Sequence, residues 1–393
     1  MLKKSLIEFI FTAGSIERWN DHIRPSKGFT ELDKQAHKMI YAYILSGLSK
    51  DTDRLLLAEG CIFEFLHRLV LTDIKPPVFH RLQAEKGEQI NRWVLSTLKE
   101  DLEEIPGGFY ERFCKYYEDP TYCEKEKKLL ESAHYLATKW EFDIIYTYNS
   151  TCYGIDKTHR EIELKLDSFK ELPYFEEFVH NENLKSFANL LGQLRFQQRW
   201  SKTPRLPATS VMGHMLIVAV LSYLCSCGMN PCRKRLSNNF FGGLFHDVPE
   251  VLTRDIVSPV KNSVEGLDEL IKEIEEIQMK ETIYPLIPSS WQEELEYFTK
   301  DEFSTKIQKD GQIVYLTTEE INESFNEDKF NPIDGLLIRH CDIFGAYIET
   351  YFSHITGVTS PTLREANKET YKKYKKANLG GLDFGKIFEY FKI

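Results

Sequence analysis

The chain has no paired Cys-x2-Cys units, no stripe of lysine and arginine with interleaved aromatics, and no expected run of the ~20 apolar residues that a membrane-spanning helix needs. Each absence removes a class. Eight cysteines are scattered at positions 61, 114, 123, 152, 225, 227, 232 and 341, and only Cys225, Cys227 and Cys232 cluster. Neither a zinc ribbon nor the disulfide scaffold of a short secreted domain fits that spacing, so reduced thiols are expected. A formal net charge of −10 disfavours long nucleic acids on electrostatic grounds. It leaves room for a small phosphorylated substrate, because a metal ion and a few local cations such as Arg199 and Lys261 can supply the positive field that the whole chain lacks. The opening segment has Lys3 and Lys4 before a short apolar run that Glu8 interrupts, which reads as a first amphipathic helix rather than a signal peptide. A cytoplasmic protein without a membrane partner is expected.

What is present is material for a large core. The 393 residues are 42% hydrophobic and 13% aromatic, with 26 Phe and 20 Tyr, enough for two domains or one large helical assembly. Apolar residues recur with a period near 3.6 over His37–Leu48, Arg54–Leu71, Ile90–Leu102, Glu124–Tyr148, Leu184–Leu194 and Ser210–Cys227, which predicts an all-α fold. Helices should end or turn at Pro76 and Pro77, at Pro106 to Gly108, at Pro120, at Pro231 and between Pro285 and Pro288. Asp310 and Gly311 between apolar flanks predict a small hairpin within an insertion over residues 304–332.

The two halves also echo one another in order, as a duplication would make them. Arg18 and Trp19 answer Arg199 and Trp200, the string around His37 answers that around His214, Asp73 answers Asp255, and Asp143 answers Asp342. The boundaries expected are 1–180 for a degenerate copy and 181–393 for an intact one. His67 and Arg68 stand where the second half has His246 and Asp247. A guanidinium cannot coordinate a metal, so at most His37, His67 and Asp143 remain as ligands in the first half, which is expected to be metal-free.

The chemistry concentrates in the second half. His246 and Asp247 are adjacent, His214 lies upstream and Asp342 downstream, and imidazoles with carboxylates are what one divalent ion of the borderline or hard kind accepts. A lone His on an apolar helix is usually a core residue, but a buried Asp342 without a partner would be costly, and a shared ligand role accounts for both. His340, two residues before Asp342, faces elsewhere on the helix.

The string from Arg199 and Trp200 through His214 to LFHDVPEVLTRDIVSPVK at 244–261, with the later Asp342, resembles the HD-domain phosphohydrolases, and within them the bacterial 5′-deoxynucleotidase branch. The resemblance covers residues 190–355 closely and 10–150 in degraded form. It implies an all-helical HD bundle and a single divalent ion, manganese, cobalt or another transition metal with magnesium as the alternative, on His214, His246, Asp247 and Asp342. It implies a turnover role for Glu250, sugar contact for Asp255, and phosphate and nucleoside contact for Arg199 and Trp200. Ser258 and Lys261 transfer as further substrate contacts.

The expected reaction is removal of phosphate from nucleotides, chiefly (deoxy)nucleoside 5′-monophosphates, by in-line attack of metal-activated water, with Glu250 favoured over Asp255 for the leaving-group proton and Arg199 steadying the phosphoryl oxygens. One departure stands out, since Gly213 replaces the acid that this branch carries before its first histidine. The alternatives are a two-HD regulatory or nucleotide-sensing protein with little catalysis, or a hydrolase of nucleoside triphosphates or signalling nucleotides. A monomer whose first half takes a partner's place, or a homodimer, is expected.

Overall fold

The computed structural model describes residues 2–19, 29–72, 74–256 and 263–393. It is all-α. A short α1 (Lys4–Phe11) leads to α2 (Glu31–Leu48), α3 (Arg54–Leu71), α4 (Pro76–Leu102), α5 (Phe109–Glu118) and α6 (Glu124–Asn149). Then come α7 (Ile155–Asp167), α8 (Pro173–His180), α9 (Glu182–Gly192), α10 (Val211–Ser226) and α11 (Arg233–Phe245). The chain closes through α12 (Glu250–Thr253), α13 (Leu267–Gln278), α14 (Ser289–Thr299), α15 (Gly335–Ile355), α16 (Pro361–Tyr374) and α17 (Phe384–Glu389).

Side-chain caps set several starts. Thr30 accepts from Asp33 N, Asp53 from Leu55 N and Leu56 N, and Ser210 from Gly213 N, each satisfying an amide that the first helical turn leaves without a partner. Pro76 and Pro77 begin α4 rather than merely separate it from α3, and the helix expected over Ile90–Leu102 is the buried end of this longer, mostly exposed element. A proline fits the first turn because its missing N–H is not needed there. The expected hairpin is present as β1 (Lys306–Lys309) paired antiparallel with β2 (Gln312–Tyr315). Asp310 and Gly311 take positive φ of 52° and 76° between the strands, as a two-residue turn of the primed type requires.

Helices α2 and α10 pack on each other, with α3, α6, α11 and α15 around them. Here one expectation fails. Val211–Met229, at mean hydropathy 1.8, is long and apolar enough to cross a membrane by length and composition. Its interruptions, Gly213, His214 and Ser222, hide the run from a reading that looks for unbroken apolar residues. In the structure 94% of that window is buried within the protein, so the helix serves as core.

Candidate metal centre

His214 sits four residues past the Ser210 cap, on a helix whose other side chains are nearly all apolar and buried. Its Nε2 lies 2.8 Å from Asp342 Oδ1 of α15. His246 ends α11, where its Nδ1 donates to the Gly243 carbonyl at 2.9 Å and Nε2 faces Asp247 Oδ2 at 3.2 Å. That bond selects the ring tautomer and leaves Nε2 as the ligand atom. Ligand atoms of His214, His246 and Asp342 all lie within 4.8 Å of one another, and Asp247 adjoins the group through His246. Gly345, one turn after Asp342, makes the space, since a Cβ there would stand 3.1 Å from His214 Cε1.

The electrostatics fit a cation. Burial depresses the pKa of His246, but Asp247 and Asp342 outweigh it and carry the ring up to about 9. Burial would raise the Asp247 and Asp342 carboxyls, yet the histidines, joined at Asp247 by Arg199, hold both below their ordinary value. His214 goes the other way, depressed by burial and by Arg199. Two buried imidazoles with two carboxylates form a donor set that would suit a divalent ion, with the His246 Nε2 giving up its proton to serve as a ligand.

Around this group the expected residues are placed unevenly. Arg199 Nη1 lies 3.7 Å from Asp247 Oδ2 and its Nε 3.8 Å from Glu349 Oε2. Trp200, in the left-handed region at φ 55°, donates Nε1–H to Glu349 Oε2 at 2.8 Å. Glu250 is buried at the start of α12, its amide 3.1 Å from the Asp247 carbonyl. Asp255 is half-buried and adds to the negative field on Arg199. Ser258 and Lys261 lie outside the described residues. His340 bonds back to Leu336 O at 2.8 Å and packs on Tyr374 and Phe384, away from the centre.

Two residues escaped the sequence reading. Glu349, 2% exposed, takes Trp200 and the Thr209 hydroxyl and lies 3.5 Å from Arg205. Its seven-residue spacing from Asp342 puts both on one face of α15, which was the available signal. Glu302, in the stretch leading to β1, stands in the field of His246 and Asp247, and burial pushes its carboxyl up. Nothing in its local sequence marks it.

Gly213 also has a physical reason. A Cβ there would come within 2.9 Å of Leu32 Cδ2 and 3.3 Å of Ser210 Oγ. The place of the missing acid is filled by α2.

Helix caps and backbone features of the first part align with those of the second in a different register from the one the sequence echoes suggest. The bridge Glu17 to Thr30 and the positive φ of Trp19 match Gln198 to Ser210 and Trp200. Four residues past the Thr30 cap stands Lys34, as His214 stands past Ser210. His67 and Arg68 follow the Asp53 cap at the distance that separates His246 and Asp247 from Cys232. Trp19 Nε1 donates to Glu141 Oε2 at 2.8 Å, and seven residues before Glu141 comes His134, as Asp342 precedes Glu349.

In this register Lys34, His67, Arg68 and His134 stand at the positions of the four candidate ligands. His37 and Asp143 are not among them. His37 lies between Arg195 at 2.9 Å and the Ala188 carbonyl at 3.1 Å, and Asp143 is exposed and paired with Lys139. Asp73 lies outside the described residues.

Residues 191–371 match the family model described as HD domain, which supports placing this stretch in the HD-domain superfamily of metal-dependent phosphohydrolases, whose domains bind divalent metals. No curated protein matches the chain.

Proposed function

We propose that the centre on α10, α11 and α15 hydrolyses phosphomonoesters of nucleotides, with (deoxy)nucleoside 5′-monophosphates as the leading substrates, as in the bacterial 5′-deoxynucleotidase branch. The observation that carries this reading is the convergence of His214, His246 and Asp342 beside a guanidinium that Glu349 and Asp247 hold in place. A divalent ion on His214, His246, Asp247 and Asp342 supplies Lewis acidity and a water nucleophile when bound. Arg199 presents planar donors to the phosphoryl oxygens. Glu250, one turn beyond Asp247, handles the proton of the leaving 5′-oxygen, and Asp255 reads the sugar. Trp200, fixed by Glu349, keeps Arg199 aimed and offers an aromatic face to the nucleoside.

The matched register of the two parts supports a duplication with 1–180 as the degenerate copy and 181–393 as the intact one. Leu32 against Gly213 and the Ser210 hydroxyl on Asp33 support a monomer in which the first part covers a face that would otherwise meet a second chain. Light scattering showing a dimer would remove that part of the reading.

The functional test is phosphate release from nucleoside and deoxynucleoside 5′-monophosphates with manganese, cobalt, magnesium or EDTA. Metal-dependent turnover lost in Asp247→Ala is the expected result. Turnover unchanged by EDTA or by that substitution would sink the proposal.

A further inference from the structure

A cavity of about 1000 Å³ in the first part of the chain is lined by His67, Arg68 and His134, with Lys34 bonded to His134. Its walls carry Arg18, Lys38, Arg68, Lys75 and Lys165 against Glu64, Glu131 and Glu161. Two further acids among the described residues stand behind that surface. Glu31 and Glu141 are 1% and 0% exposed, and they hold Arg18 from the rear at 3.0 and 2.9 Å. Arg68 is drawn to the same Glu31 at 3.5 Å. The described groups that face the cavity are thus in cationic excess although the protein as a whole is acidic.

The floor differs from the other centre by substitution. Where the other centre places His214 against Asp342, this one places Lys34 Nζ against the His134 ring. Where that centre has Asp247, this one has Arg68. Both Lys34 and His134 lie well below their ordinary pKa, through burial first and then through repulsion from neighbours that include Arg18 and Lys38. An incoming anion relieves that repulsion. The side walls are aromatic: Phe79, Tyr135 and Tyr117 line the cavity, and His67 is fixed by stacking on Tyr117 at 4.5 Å and by Asn91 Oδ1 at 3.0 Å. Guanidinium and ammonium groups below aromatic walls, in a space of this volume, suit a phosphate with a planar organic part.

We propose that this cavity is a metal-independent binding site for a nucleotide, its phosphates on Arg18, Arg68 and Lys165 and its base against the aromatic wall. The proposal does not rest on the activity of the other centre. Arg68 in place of a carboxylate bars a divalent ion from the floor, so binding needs none.

The test is calorimetric titration of the full chain with ADP in EDTA, with inorganic phosphate as competitor. The expected result is an ADP-binding event weakened about tenfold or more in Lys165→Glu and Arg68→Gln, diminished by competing phosphate and retained in Arg199→Gln. Lys165 is on the rim, 35% exposed, so Lys165→Glu tests the site even where Arg68→Gln fails to fold. Absence of an event at millimolar ADP would overturn the proposal. So would an event that survives Lys165→Glu or disappears in Arg199→Gln.

Discussion

Helices α2 and α10 pack against each other and are both buried over almost their whole length, yet they carry opposite chemistry. Among the buried side chains of α10, His214 is the one titratable group before its C-terminal tyrosine and cysteine. The first two turns of α2 bury Glu31, Asp33, Lys34, Gln35, His37 and Lys38. The difference teaches how two similar scaffolds solve the cost of buried charge. On α10 the charge is concentrated at one point, where His214 meets Asp342 and His246 in a group that could hold a cation. On α2 it is spread through internal pairs, Glu31 with Arg18, Arg68 and Gln35, and Lys38 with Glu64. Such pairs hold without a metal ion, because Glu31 and Lys38 find their partners in the protein.

Paired substitutions put that comparison at risk. Asp342→Ala should lower phosphate release by about a hundredfold or more, by removing a direct ligand, while His134→Ala, its counterpart in the first part, leaves turnover per folded molecule near wild type. Equal losses in a steady-state assay would erase the distinction between the two centres.

The next effect is on stability. Burial would raise the Glu31 carboxyl, but Arg18, Arg68 and Lys34 hold it at about 2 against an ordinary 4.5. A folded-state pKa below the unfolded one gives stability that is full above pH 4.5 and lost as the pH falls towards 2. The contribution is on the order of 3 kcal/mol. Urea unfolding at pH 7 and pH 3 should show Glu31→Gln with a smaller acid-dependent loss than wild type, and parallel losses would contradict the assignment.

Gly213→Glu drives a charged side chain into Leu32. Overpacking of this kind costs about 2 kcal/mol. Adding Leu32→Ala should recover part of the melting temperature, which a double-mutant cycle measures.

The smallest contrast separates the two tryptophans. Trp200→Phe and Trp19→Phe each remove one indole donor from a buried carboxylate, Glu349 or Glu141, at about 2 kcal/mol apiece. Only the first should also change KM for a nucleotide. A KM shift from Trp19→Phe would tie the first cavity to turnover.

Much of this was legible in the residues. Arg54–Leu71 has the boundaries that its periodicity predicts, the Asp-Gly turn places the hairpin, and His214, His246 and Asp342 do meet. The repeat was legible only by its words. His37 and Asp143 look like ligands because their neighbours echo those of His214 and Asp342, whereas the helix caps and the carboxylate under each tryptophan count a different register. Lys34 and His134 share no side-chain type with their counterparts, so similarity passes over them. Glu302 was invisible because a long-range approach puts its charge near His246.

Glu141 has one further consequence. Its Oε2 takes Arg18 and Trp19, and its Oε1 takes Arg195 at 2.7 Å, on the short turn that leads to Arg199 and Trp200. Carboxylate and Arg195 guanidinium are both 0% exposed. Melting residues before 150 alone would strip Arg195 of Glu141 and of the Phe29 and Trp140 rings that cover its guanidinium, and breaking a buried pair of this kind costs about 3–5 kcal/mol. The two parts should therefore unfold as one cooperative unit, with a single calorimetric peak whose van't Hoff and calorimetric enthalpies agree.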